Sequence, residues 1–369
     1  MNLRARTVLI RLLLVLSLGC AAWAFGASGA SAMPIVNGGP TSALAQVAPR
    51  ADTVLRITFV DVGQGDCAVL RSGSWTGLID GGPPGTAPRI EAVLHSLKAT
   101  HLDCLVITHP HADHIGGLAA VVQDYKPTTV VYGSEGTTKT WHNLRSELAG
   151  EGATFKMVRT DDELQFGQAK AKVLSPISLV GDPNSDSVVI DVTAGGKQFL
   201  FTGDVTGAHE ADVGNLCARG PPIYLLKVAH HGSKYSTTAT FLSQTRPKFA
   251  VISVGKNSYG HPAPATIERL KAAGARIYST QKNGNVTVAV TSAGIVTWTF
   301  SRSSSPVTSA GSSSTPKPSP SGTTVYITAT GECYHRAGCR FLSHSCIPIS
   351  LAEAKAQGYR PCSVCKPPT

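Results

Sequence analysis

Residues 109–117, HPHADHIGG, decide how this sequence is interpreted. They follow the apolar run 104–108, which is typical of a buried strand, and they hold four candidate metal ligands within six positions. These ligands are His109, His111, Asp113 and His114. Side chains just beyond a strand end can converge on one point, and imidazole and carboxylate groups bind Zn²⁺ or Mn²⁺. The stretch therefore predicts a metal site at the edge of a β-sheet.

The sequence around this stretch predicts an α/β layered domain over residues 53–300, because short β-type runs alternate with helical stretches. The β-type runs are 55–62, 104–108, 129–132, 188–192, 198–202, 249–254 and 286–290, and the helical stretches include 88–98 and 265–273. Of the 369 residues, 42% are hydrophobic and 15% are charged, which excludes wholesale disorder. The formal net charge of +10 lies mainly outside residues 12–300, whose own balance is +2, so charge alone does not indicate a nucleic-acid partner.

Three further motifs lie in the same domain: LIDGG (78–82), FTGD (201–204) and KVAHHGS (227–233). Together with residues 109–117 they resemble the metallo-β-lactamase superfamily. The resemblance implies an αββα sandwich with the metal site along one edge of its two sheets, and an Asp80 that supports the metal loop without binding metal. The ligands it implies are His109 and His111 for the first metal, Asp113, His114 and His230 for the second, and Asp204 as a bridge.

The segments DVGQGDC (61–67), NSDS (184–187) and NSYGHP (257–262) make the chain more similar to the ComEC-type competence metallohydrolases within that superfamily. The predicted substrate contacts are Asp61, Gln64, Asp66, Asn184, Ser187 and His231. His261 is a predicted catalytic residue that contacts a phosphate or the leaving group. Two structural alternatives stay open: a tight turn capped by Asp61 and Asp66, and a role for His261 in its turn only.

Many superfamily members place a third histidine on the first metal, between the HxHxDH loop and the bridging aspartate. Between His114 and Asp204 this sequence has only His142, which lies in a predicted helix and is interpreted as a surface or packing residue. The third ligand of the first metal is therefore open, which argues against a β-lactamase. Lys227 and Lys234 are predicted to be solvated.

These patterns predict an exported metallohydrolase with two divalent metals, Zn²⁺ or Mn²⁺, and catalysis by Asp113, Asp204 and His261. A metal-bound hydroxide would attack a phosphodiester. The ComEC-type resemblance implies a nuclease acting on DNA or on nucleotide phosphodiesters. The alternatives are hydrolysis of another ester or a thioester on the same fold, and a nucleic-acid-binding protein with a weak or structural metal centre.

The N-terminal residues predict export to a secreted or cell-envelope location. Residues 1–32 combine early arginines, an apolar run and small residues, which is typical of a signal peptide; a lipoprotein anchor at Cys20 and a retained membrane anchor are the alternatives. We expect no multi-span membrane domain. Residues 33–52 are predicted to be a spacer, and the Ser/Pro-rich residues 301–322 a linker.

Residues 323–369 predict a small zinc-binding domain, because two ligand pairs occur at spacings of three and two residues. The four predicted structural zinc ligands are His335, Cys339, Cys362 and Cys365. The pattern resembles the small zinc domain of the Ada DNA-repair protein, which uses four cysteines. Cys333 and Cys346 could form a disulfide beside the zinc site. The domain is predicted to bind DNA or an envelope partner, or to act only as a stability cap.

Overall fold

The structure is a computed structural model that describes residues 52–308, 323–328, 333–342, 347–356 and 359–368. The predicted signal peptide, nearly all of the predicted spacer, most of the predicted linker and Cys346 lie outside the described residues. Among the helices that the structure describes, none is long and apolar enough to cross a bilayer.

Residues 53–300 form the strands and helices of one layered domain. The strands are β1 (Thr53–Phe59), β2 (Ala68–Ser72), β3 (Trp75–Ile79), β4 (Leu102–Ile107), β5 (Pro127–Tyr132), β6 (Thr154–Met157), β7 (Glu163–Phe166), β8 (Ala169–Ser175), β9 (Val189–Ala194), β10 (Lys197–Phe201), β11 (Leu225–Lys227), β12 (Phe249–Ile252), β13 (Arg276–Ser279), β14 (Val286–Thr291) and β15 (Val296–Phe300). The helices are α1 (Ala87–Ser96), α2 (Ala112–Ile115), α3 (Leu118–Tyr125), α4 (Lys139–Gly150), α5 (Gly207–Cys217), α6 (Ala239–Thr245), α7 (Pro264–Ala272) and α8 (Thr280–Asn283), with a 3-10 turn over Ala229–Gly232.

These strands form two sheets that pack face to face. The first has the order β15-β14-β1-β2-β3-β4-β5-β6 and the second β13-β12-β11-β10-β9-β8-β7. A hydrophobic cluster drawn from both sheets fills the space between them, and the rings of Phe59 and Phe201 meet there at 5.8 Å. A second cluster joins α1, α3 and α4 to the outer face of the first sheet, and a third joins α5, α6 and α7 to the second sheet. The predicted αββα sandwich is confirmed.

The connections between strands place several loops along one edge of the sandwich. Strands β3 to β6 are parallel, and so are β10 to β13. The carboxyl ends of parallel strands meet at one edge of a sheet, where ligands bind in α/β proteins. The loops after β3, β4, β10 and β11 carry Asp80, the HPHADH stretch, Asp204 and the two adjacent histidines.

The layered domain continues to residue 308, beyond the predicted boundary at 300. Arg302 donates from Nη1 to Oδ2 of Asp61 at 2.7 Å, and the backbone N–H of Val307 donates to the carbonyl of Ile277 at 2.8 Å. The side chain of Val307 is buried in the third hydrophobic cluster. Residues 301–308 therefore belong to the domain, because Val307 is buried in its core and Arg302 pairs with Asp61. The Ser-rich composition of this segment does not indicate either contact.

The C-terminal residues form a separate small sheet. Its elements are β16 (Thr324–Ile327), β17 (Cys333–His335), β18 (Ile347–Ser350), α9 (Leu351–Ala356) and β19 (Arg360–Pro361), in the sheet order β18-β16-β17-β19. In the described part of this module, the buried apolar cluster consists of Val325, Ile327, Tyr334 and Ala354. So small a core gives little stability, and small domains of this kind are commonly held by a metal.

We expect Arg302→Ala to lower the free energy of unfolding by roughly 1 kcal/mol without changing metal content, because the pair with Asp61 is partly exposed and lies outside the metal ligands. Urea denaturation and metal analysis of the purified chain measure both quantities. Arg219→Ala, at an exposed position just after α5, is the matched control. Loss of metal in Arg302→Ala would show that Asp61 serves the site.

Candidate metal centre

Two glycines let the loops of the site stack closely on one another. A Cβ at Gly65 would lie 2.3 Å from the carbonyl oxygen of Asp113, and a Cβ at Gly117 would lie 2.3 Å from the carbonyl oxygen of Gly81. The backbone N–H of Asp66 donates to the carbonyl of Asp113 at 3.1 Å. The DVGQGD and LIDGG turns thus pack directly against the HPHADH loop, because these positions carry no side chain.

Four side chains from three loops meet at the edge of the sandwich: Asp113, His114, Asp204 and His231. Their ligand atoms all lie within 4.8 Å of one another. Nε2 of His114 is 3.3 Å from Oδ1 of Asp204, and Nε2 of His231 is 3.5 Å from Oδ2 of the same carboxylate. Nε2 of His231 is also 3.2 Å from Oδ2 of Asp113. Two imidazoles and two carboxylates at these distances can hold one divalent cation.

The hydrogen bonds of both imidazoles direct their Nε2 atoms into this group. Nδ1 of His114 is 2.8 Å from Oδ2 of Asp80, and Nδ1 of His231 is 2.9 Å from the carbonyl oxygen of Ser253, so each Nδ1–H donates to an oxygen. Nε2 of each ring and Oδ1 of Asp204 are buried and have no hydrogen-bond partner. Buried polar atoms without partners are costly, and a bound cation would satisfy all three. The residues present therefore fit a metal.

Two more histidines lie within 4.0 Å of the Asp204 carboxylate. Nε2 of His109 is 3.0 Å from Nδ1 of His111 and 4.0 Å from Oδ2 of Asp204. Nε2 of His230 is 3.8 Å from the same oxygen. The two oxygens of Asp204 thus face imidazoles from different loops, which is the arrangement that a bridging ligand requires. His230, in the loop after β11, therefore adds a further imidazole next to Oδ2 of Asp204.

The charges of the site favour a cation. Burial alone would lower the pKa of His231, but the carboxylates of Asp204 and Asp66 raise it to about 10. Burial would raise the pKa of Asp204, but positive charge on His231 and His114 holds that pKa well below its usual range. The negative field that keeps a proton on His231 also attracts a divalent metal, so protons and metal compete for the same atoms.

The structure differs from the sequence prediction at the histidine pair. His230 is the predicted ligand of the second metal, but His231 is the member that joins Asp113, His114 and Asp204. Both residues have a left-handed backbone, with φ values of 50° and 52°. The side chain of His231 is 2% exposed and that of His230 is 26% exposed. His231 therefore faces the metal ligands, whereas its predicted role is a substrate contact.

Two predicted substrate contacts, Asp66 and Asp61, are paired with basic side chains. Asp66 is buried beneath the ligands, where it pairs with Nζ of Lys227 and lies 3.3 Å from Nδ1 of His231. Asp61 is held by Arg302. A third, Gln64, accepts from the backbone N–H of Gly255 at 3.4 Å. Asp66 and Asp61 act as structural partners here, because each carboxylate is already paired with a cation.

The remaining predicted residues border the site. Ser187 is buried; its Oγ accepts from the backbone N–H of Asp204 at 3.1 Å and lies 3.4 Å from Nδ1 of His109, so it supports two predicted ligands. Oδ1 of Asn184 is buried and has no hydrogen-bond partner. The ring of His261 is 5.6 Å from that of His230, and burial with the charges of His231 and His230 lowers its pKa to about 4. His142 is exposed on α4.

Sequence reasoning missed the role of Lys227. This residue is predicted to be solvated, but it is 3% exposed, and its Nζ pairs with Asp66 and donates to the carbonyl of Gly203 at 3.2 Å. The sequence does hold a signal for burial: Lys227 ends the apolar run of β11 and precedes the apolar Val228 and Ala229. A lysine inside such a run is rare without an acidic partner.

Another group that could hold a metal lies in the C-terminal module and consists of His335, Cys339, Cys362 and Cys365, whose ligand atoms are within 4.8 Å of one another. Nδ1 of His335 is 3.3 Å from Sγ of Cys339 and 3.8 Å from Sγ of Cys365. Three thiols and one imidazole form a set that suits a tetrahedral structural zinc. Cys333 is a free thiol, and its proposed disulfide partner lies outside the described part of the chain.

The family model for the metallo-β-lactamase superfamily matches residues 60–256, more than half of the chain. The chain therefore belongs to the metallo-β-lactamase superfamily.

Known competence proteins are similar to this domain. ComE operon protein 3 of Bacillus subtilis is 34% identical over 192 residues, which is 50% of this chain and 24% of that protein. Competence protein ComA of Neisseria gonorrhoeae is 30% identical over 238 residues, which is 62% of this chain and 31% of that protein. The solved structure of the metallo-β-lactamase fold protein YhfI from Bacillus subtilis covers 66% of this chain with a TM-score of 0.45 and 13% identity. The relatives confirm the resemblance to the ComEC-type branch, although the chain spans less than a third of their length.

We expect His231→Ala to weaken Mn²⁺ binding far more than His230→Ala, because only His231 belongs to the group with Asp113, His114 and Asp204. The loss should exceed the 10- to 100-fold that is typical when only an orienting partner is removed. Titration of the metal-free chain with Mn²⁺ measures this, since thiol ligands in the C-terminal module prefer zinc. The opposite order of the two variants would restore the sequence prediction.

Metal binding should release at least one proton near neutral pH. With a pKa of about 10, His231 of the metal-free protein is protonated at pH 7, and a cation needs its Nε2 lone pair. The affinity should therefore rise as the pH rises towards 10, about tenfold per unit for each proton displaced. Calorimetry with Mn²⁺ in buffers of different ionisation enthalpy counts these protons, and the His231→Ala variant should release fewer. A heat independent of the buffer would contradict this assignment.

Proposed function

We propose that this metal-dependent hydrolase is an exported phosphodiesterase that acts on DNA or on nucleotide phosphodiesters. The observation that carries the proposal is the position of Asp204, whose two oxygens face imidazoles from different loops between 3.3 and 4.0 Å. A carboxylate placed in this way suits a two-metal centre, and such centres are typical of enzymes that displace one oxygen of a phosphate by another.

The residues of the chain have separable tasks in this reaction. Two divalent metals, when bound, would activate water and neutralise charge that develops on the phosphate. Asp113, His114 and His231 would hold one of them, and His109 and His111 the other, with Asp204 shared. His261 is neutral at pH 7 because its pKa is about 4, so it would donate a hydrogen bond to the phosphate or the leaving oxygen and would not act as a cation.

Two further observations support the substrate and the location. The similar protein from Neisseria gonorrhoeae is a competence protein by name, which favours nucleic acid as substrate. Residues 1–32 carry the pattern of a signal peptide, which favours export.

We expect the full chain, loaded with Zn²⁺ or Mn²⁺, to hydrolyse bis(p-nitrophenyl) phosphate and linear DNA. Asp204→Ala should lower both rates at least about 100-fold, because it removes the ligand proposed to be shared by both metals, and loss of only an orienting partner of a ligand typically costs 10- to 100-fold. Asp124→Ala, at an exposed position in α3, is the matched carboxylate control. Inactivity of the metal-loaded protein on both substrates would refute the phosphodiesterase and favour another ester, a thioester or a binding role.

A further inference from the structure

The C-terminal module exposes basic and apolar side chains beside its metal-binding group. Phe341 is 46% exposed and Val364 is 52% exposed, and the side chains around them are cationic. Five exposed residues make up what we call the zinc-site surface: Arg336, Arg340, Phe341, Val364 and Lys366. Neighbouring Leu342 is buried, so the chain at this point turns one apolar side chain inward and the other outward.

Contacts of Arg336, Arg340 and Phe341 place this surface beside the four candidate metal ligands of the module. The ring of Phe341 is 6.0 Å from the ring of His335, and the guanidinium carbon of Arg340 lies 4.9 Å above the Phe341 ring. The backbone N–H of Arg336 donates to Sγ of Cys365 at 3.4 Å, and its guanidinium donates to the carbonyl of Lys366 at 2.6 Å. A metal that fixes His335 and Cys365 would therefore also fix the surface.

The charge of the module favours an anionic partner. Residues 323–369 contain five basic and two acidic residues, whereas the layered domain is nearly balanced. An exposed aromatic ring among cations offers a face for stacking and positive charge for phosphates, which is the combination that proteins use to hold single-stranded nucleic acid. In a duplex the bases are already stacked on each other, so their faces are closed to such a ring.

We propose that the zinc-site surface binds single-stranded nucleic acid, with a base stacked on Phe341 and phosphates held by Arg336, Arg340 and Lys366. If the bound strand is the substrate, this surface captures it for cleavage, and that role rests on the proposed phosphodiesterase function. Binding itself can be measured separately from cleavage, because the surface shares no residue with the proposed catalytic group.

Fluorescence anisotropy of a labelled oligothymidylate tests the proposal on the full, zinc-loaded chain. All variants carry Asp204→Ala as background, so that cleavage is slowed at least about 100-fold during the measurement. Adding Phe341→Ala should weaken binding roughly 5- to 100-fold, and Phe341→Trp should preserve or strengthen it. Adding Arg340→Gln should weaken binding and reduce its salt dependence between about 50 and 200 mM. The matched controls are Ile295→Ala, at an apolar side chain 47% exposed in the other domain, and Arg219→Gln. Both controls should bind as the background does.

Zinc content shows whether each variant keeps the module intact. Equal binding by Phe341→Ala and its control would overturn the assignment of the surface, and so would tighter binding to duplex than to single strands. Binding to vesicles with anionic lipids, without binding to the oligonucleotide, would overturn it in favour of a membrane. Hydrolysis of bis(p-nitrophenyl) phosphate by the wild-type chain without oligonucleotide binding would refute this inference alone. Binding without hydrolysis would refute the phosphodiesterase alone.

Discussion

The buried carboxylate of Asp80 is the constraint on which the metal centre depends. Its Oδ1 accepts from the backbone N–H of Thr108 at 2.9 Å, and its Oδ2 accepts from the hydroxyl of Thr108 at 2.7 Å and lies 2.8 Å from Nδ1 of His114. One side chain thus ties the end of β3 to the end of β4 and sets the tautomer of a ligand. Burial raises the pKa of Asp80, so His114 and Thr108 must stabilise the charged form.

A second layer of charge lies beneath the ligands. Lys227 balances Asp66, and Asp66 in turn lies beside His231. A buried carboxylate without a partner would be costly, so the pairing with Lys227 is what allows Asp66 to lie this close to the site. Asp80 and Asp66 lie beside the Nδ1 atoms of His114 and His231 and orient these ligands. Asp113 and Asp204 belong to the group that would hold the metal.

Contiguous motifs carried the prediction of the fold and of most of the site. The HPHADH loop follows a buried strand, so Asp113 and His114 could be placed from its spacing, whereas Asp204 is placed by the resemblance to the metallo-β-lactamase superfamily. The choice between His230 and His231 could not, because it depends on a left-handed turn that departs from strand alternation. Nor could the direction of Asp61, whose partner Arg302 is 241 positions away. Motifs of neighbouring residues indicate where the site lies. Ion pairs between residues far apart in sequence decide which side chains of those motifs remain available to the site.

The left-handed turn at His230 and His231 also bears on how such a protein can evolve. Left-handed backbone costs a residue with a side chain about 1–2 kcal/mol, a penalty that glycine avoids. Two histidines in succession therefore keep the fold less stable than a glycine-containing turn would. Selection for thermal stability alone would replace them and erase the ligand, whereas selection for activity retains them at the expense of stability. Natural variation at these two positions is thus expected to record which pressure has prevailed.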